Sequence, residues 1–115
     1  MATQRGPSRP TKVRIFGRDY SIHFHAFSPL NDSDLGNCNN IHQVINIADG
    51  LSPVEEADTL LHEVLHGIVY TTHLELSYEQ EERVVATLAT GLMGGLQDNP
   101  RFAQWLIQSR DGANG

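Results

Sequence analysis

The chain has one cysteine, Cys38, among 115 residues, so no disulfide can form within it. A lone thiol suits a reducing compartment, and a cytoplasmic location is expected. No apolar run reaches the roughly 18 residues of a membrane-spanning helix, so no membrane partner is expected. The opening "MATQRGPSRPTK" lacks an apolar segment and is not expected to act as a secretory leader. Basic residues are few: 8 Lys and Arg stand against 14 Asp and Glu, for a net charge of −6. That balance argues against general nucleic-acid binding. The cations are also unevenly spread, with Arg5, Arg9, Lys12, Arg14 and Arg18 all preceding residue 19. A basic arm on nucleic acid is one reading, and a solvated tail is the simpler one.

Hydrophobic residues make up 39% of the chain, enough for one modest core. Residues 1–10 and 111–115 are rich in Gly and Pro or small polar residues and are expected to be disordered. A single domain over 11–110 remains, and no internal repeat is visible.

The elements read as strands followed by helices, which predicts an α+β fold. "KVRIF" alternates with Val13 and Ile15 on one face, and "YSIHFHAF" alternates with Tyr20, Ile22, Phe24 and Ala26 on one face. Gly17-Arg18 between them fits a tight turn with Gly first. Residues 28–40 read as a polar loop, and "IHQVINI" (41–47) as a third strand at the sheet edge. From Ser52 the period becomes helical. Ser52 and Glu55 form a capping box around Pro53, and the helix should run to about Thr72 with Val54, Ala57, Leu61, Val64, Leu65 and Ile68 as its apolar stripe. A second helix should start at Ser77, with Gln80 completing its box and Val84, Val85, Leu88, Ala89, Leu92 and Met93 apolar. Asn99-Pro100 should end it and cap a third, where Phe102, Trp105, Leu106 and Ile107 cluster and could serve a core or a partner.

The first helix carries His62-Glu63-Val64-Leu65-His66, an HExxH pattern. Helical residues four apart lie about 40° apart around the axis and about 6 Å along it. Two imidazoles so placed can reach one Zn²⁺, about 2.0–2.1 Å from each nitrogen. Glu63, about 100° further round the helix than His62, sits beside the metal and can take a proton from its water. Two ordinary helix histidines are the plain alternative. A third ligand must come from elsewhere. If the turn centres near residue 74, His66 and Glu82 stand equally far from it, which favours Glu82, with Glu81 and Glu79 left open. His73 lies too far along the axis, about 10 Å beyond His66. His23 and His25 share a strand face and could form a second pair, although exposed histidines are the simpler reading. Tyr70, His73 and Tyr78 are the nearest candidates for an oxyanion donor.

"ADTLLHEVLHGIVY" followed by "EQEERVVATLATGLMGGLQDNPRFAQWL" resembles the short zinc metallopeptidases of bacteriophage genomes, minimal relatives of the ImmA/IrrE and SprT-like gluzincins. The likeness covers roughly residues 41 to 107. It implies a twisted sheet packed on the HExxH helix, a second helix giving a glutamate ligand, and hydrolysis of a peptide or protein substrate. Carried over by position, it implies His62, His66 and Glu82 as zinc ligands and Glu63 as general base. The second-helix segment "ERVVATLA" matches the family in outline only, and the extra domains that choose substrates in larger relatives are missing. The other reading is a zinc-stabilised structural or binding protein, such as a virion or assembly component with its own assembly partner. Glu63 separates the two, since a structural site gains nothing from a base between its histidines.

Overall fold

The computed structural model describes residues 8–26 and 35–110. Four strands, β1 (Lys12–Ile15), β2 (Arg18–His25), β3 (Gly36–Asn39) and β4 (Val44–Ala48), precede three helices, α1 (Pro53–Thr72), α2 (Tyr78–Asp98) and α3 (Pro100–Gln108). The fold is therefore α+β. The sheet is mixed, in the order β1-β2-β4-β3. β1 and β2 run antiparallel, β2 and β4 parallel, and β3 and β4 antiparallel.

Four expectations about the sheet need correcting. The segment from 28 to 40 is not all loop: residues 28–34 lie outside the described residues, and Gly36–Asn39 is a strand. The strand expected over 41–47 begins only at Val44 and lies inside the sheet, so β3 is the edge. A small sheet of about three strands is thus one of four. The β1–β2 turn is Phe16-Gly17, not Gly17-Arg18. Both residues have positive φ, 48° and 79°, as a type I′ hairpin needs. Arg18 is left free to join β2. There its guanidinium donates to the Asn40 carbonyl and to Gln43 Oε1, and lies over the rings of Tyr20 and Tyr70.

Alternation does the main packing work. Ile15, Tyr20, Ile22, Ile45 and Ile47 form the buried core, with Leu60, Val64 and Ile68 of α1 closing over it. Those three recur at i, i+4 and i+8, one helical stripe. Val54, expected in the stripe, is 60% exposed. Gly67 permits the close approach: a Cβ there would sit 2.8 Å from Ile15 Cδ1. At the sheet edge Gly36 does the same, where a Cβ would meet Thr59 Cγ2 at 2.9 Å.

Both helix starts match the sequence. Ser52 Oγ accepts from the Glu55 amide at 3.2 Å, and Ser77 Oγ from the Gln80 amide at 3.1 Å. Val85 and Ala89 are the buried residues of α2, while Val84, Leu88 and Leu92 stay exposed. Asn99 makes no side-chain cap on α3; its Nδ2 instead donates to the Gly95 carbonyl at 2.7 Å and closes α2. No residue of α3 is buried. Arg9, within the segment expected to be unstructured, pairs with Asp49 and Glu56 at 2.7 Å each and lies over the Phe24 ring. Residues 1–7 and the 111–115 tail lie outside the described residues. Among those described, no helix is long and apolar enough to cross a membrane.

Candidate metal centre

Two long helices, α1 and α2, pack against each other and are joined by the short connection after His73. α1 contributes His62, Glu63 and His66 from its middle, and α2 contributes Glu81 and Glu82 from its first turns. The Ser77–Gln80 box fixes the start of α2 and so the phase at which the two glutamates leave it.

The two imidazoles turn the same nitrogen inward. His62 Nε2 and His66 Nε2 lie 3.2 Å apart. The Glu82 carboxylate spans both, 3.5 Å from His62 Nε2 and 3.1 Å from His66 Nε2. Four donors placed tetrahedrally at 2.0–2.1 Å from a zinc ion stand about 3.3 Å from one another. The three separations bracket that value, so the donor set fits a small divalent cation. Among the described residues this is the one group of His, Cys, Asp or Glu side chains so gathered. Of the three glutamates left open by the sequence, Glu82 reaches both inward nitrogens. Glu81 turns to the far side of His66, with Oε2 2.7 Å from Nδ1. Glu79 is exposed at the helix start.

Glu63 is buried, 6% exposed, on the side of α1 that faces the cleft and the sheet. The cleft holds about 680 Å³. β3 walls one side with Gly36, Asn37 and Cys38, α1 forms the floor, and α2 walls the other side with Tyr78, Glu81 and Glu82. Asp58, one helical turn before His62, adds a further carboxylate, and among the described residues no Lys or Arg lines the cleft. Burial holds the His62 imidazole below the ordinary histidine range, helped by the neighbouring His66 ring, beside which a second positive charge is disfavoured, and opposed by Glu82 and Asp58. The neutral, ligating form is thereby favoured. The Cys38 thiol is pushed up to about 12 by burial, then by the charges of Glu63 and Glu81. It is therefore a thiol at neutral pH, without the thiolate a metal would take.

The remaining candidates stand apart. His23 and His25 have ring centroids 6.2 Å apart, and His25 Nε2 bonds Asn46 Oδ1 at 2.6 Å across the sheet. His73 adopts a left-handed conformation (φ 57°) and caps α1. Tyr70 lies under Arg18, whereas Tyr78 lines the cleft. Sequence reasoning missed the β3 wall and the Glu81–His66 contact. The Glu81-Glu82 pair carried the signal for the latter, since consecutive helical side chains diverge by about 100° and can address opposite sides of one ring.

Comparisons with protein-family models, with curated proteins and with solved structures find no match.

Proposed function

We propose that the chain is a zinc-dependent metallopeptidase, with His62, His66 and Glu82 as ligands and Glu63 as general base. The observation that carries this is the convergence of two Nε2 atoms and one carboxylate at 3.1–3.5 Å, beside a buried glutamate, on the floor of an open cleft. A helix packed on a sheet, with a glutamate delivered from a second helix, is the arrangement expected of a gluzincin, and the HExxH resemblance supports it.

When bound, Zn²⁺ supplies a Lewis acid that acidifies the attacking water and polarises the scissile carbonyl. The chain's own groups do the rest. Glu63, next to His62 in sequence but turned off the ligand side, accepts the proton of the attacking water and passes it to the leaving amine. An extended peptide lies along β3, whose outer edge is unpaired among the described residues, by adding a strand. The cleft's carboxylates and lack of cationic lining suit a bound divalent cation.

The test is cleavage of an unfolded protein or a peptide library by zinc-loaded protein. Glu63→Gln keeps the fold and the metal and loses on the order of 10²–10⁴ in rate. Cleavage that survives in Glu63→Gln would falsify the mechanism. A second reading, a zinc-stabilised structural or assembly protein, draws on α3, where Phe102, Trp105 and Ile107 are 53%, 64% and 76% exposed and would suit an assembly partner. It predicts zinc-loaded wild type that cleaves nothing, with Glu63→Gln at least as stable.

A further inference from the structure

We propose that Glu81 is a positioning residue: it holds His66 as the tautomer protonated on Nδ1, so that the Nε2 lone pair faces His62 and Glu82. The proposal rests on the zinc-binding reading for its effect on metal, but the tautomer itself can be read without metal. Glu81 Oε2 lies 2.7 Å from Nδ1, and Glu82 Oε2 lies 3.1 Å from Nε2 of the same ring. An ionised carboxylate only accepts hydrogen bonds, and a neutral imidazole has one N–H to give. In the neutral form of the ring, the form able to ligate a metal, the two glutamates therefore compete for one proton. The shorter contact, at the length of a strong charge-assisted bond of about 2.7–2.9 Å, assigns it to Nδ1.

With the proton on Nδ1, His66 Nε2 points a lone pair at the Glu82 carboxylate and at His62 Nε2, 3.2 Å away. A cation placed among them turns that crowding of acceptors into coordination. The carboxylate behind the ring also makes Nε2 a better donor to a metal. The adjacent glutamates thus do different things: Glu82 meets the metal, and Glu81 decides which nitrogen of His66 does.

The zinc affinity of the full chain, measured by competition with a chromophoric chelator, tests this together with long-range ¹H–¹⁵N spectra of the histidines in metal-free protein at pH 8. Wild type shows His66 protonated on Nδ1 alone. Glu81→Ala loses that preference and binds zinc about 10–100-fold more weakly. Glu81→Gln, whose amide oxygen accepts the same N–H, recovers the tautomer and most of the affinity. His66 protonated on Nε2 alone, or on both nitrogens at pH 8, overturns the proposal. So does zinc binding by Glu81→Ala at wild-type strength, or a Gln variant as weak as the Ala variant. If wild type takes up no zinc, the peptidase reading falls, and the metal-free tautomer still decides the role of Glu81.

Discussion

The molecule carries two pairs of histidines, and they end in different circumstances. His23 and His25 lie on β2, where alternate residues share a face, and their rings stand 6.2 Å apart. His62 and His66 lie one helical turn apart on α1, and their Nε2 atoms approach to 3.2 Å. Spacing alone does not make this difference. The strand pair looks out from the sheet, where its one close partner among the described residues is the Asn46 amide oxygen. The helix pair looks across at the first turns of α2, which bring a carboxylate to each side of His66. A motif on one element becomes a candidate site when a second element brings acceptors of the right charge to meet it.

The largest expected effect breaks the better pair. His62→Ala or Glu82→Ala removes a proposed ligand, and zinc affinity should fall by more than the roughly 10–100-fold typical of an outer-shell loss. A His23→Ala, His25→Ala double variant should take up zinc like wild type. Elemental analysis after gel filtration decides, and zinc lost with the strand pair would invert the comparison.

Chelation comes next. On the proposed reading, a ligand set divided between α1 and α2 would clamp two helices over a small core, so zinc binding would feed into folding stability. Stripping zinc from verified loaded protein should lower the melting temperature by several degrees. An unchanged melt would show that the metal bears no part of the fold.

Gly67→Ala then tests how closely the histidine helix must seat. Its added methyl would meet Ile15 Cδ1 at 2.8 Å, and overpacking of this kind costs about 1–3 kcal/mol. Gly91→Ala on α2, where nothing lies within 4 Å, should instead gain about 0.5–1 kcal/mol. Urea melts of the two variants should move in opposite directions.

The smallest effect concerns Cys38. With its thiol held near 12, it should be alkylated at pH 8 far more slowly than an ordinary cysteine, by on the order of 10³ from thiolate fraction alone. Labelling at the rate of a free thiol would mean that β3 opens readily.

Much of this was legible before any coordinates. Both capping boxes fixed where α1 and α2 begin, because a Ser and a Glu or Gln three residues on satisfy local amides without help from the rest of the fold. The equal spacing of His66 and Glu82 about the turn anticipated that the two side chains come together. β3 was not legible. Gly, Asn and Cys give "GNCN" little intrinsic strand preference, and the strand exists through pairing with β4 and the close contact of Gly36 with α1. The turn at Phe16-Gly17 was misplaced by one residue because either register keeps Val13 and Ile15 facing inward. What decides it includes the set of distant partners of Arg18, which no local pattern contains. The spacing favoured Glu82 over Glu81 but left both open, since one residue of helix phase decides which of them faces both imidazoles and which turns to the far side of His66.

α3 has a different kind of consequence. None of its residues is buried, and the Asn99 side chain that might have anchored its start is committed to α2. Little solvent exclusion or side-chain capping therefore opposes its opening, and segments of this kind unfold locally at a small fraction of the global free energy. Its backbone amides should exchange with deuterium in seconds while those of α1 above the isoleucine core persist for hours. Among the described residues, proteolysis of the native protein should nick first near Arg101 or Arg110, and trypsin trimming there should leave the histidine helix and its carboxylates intact.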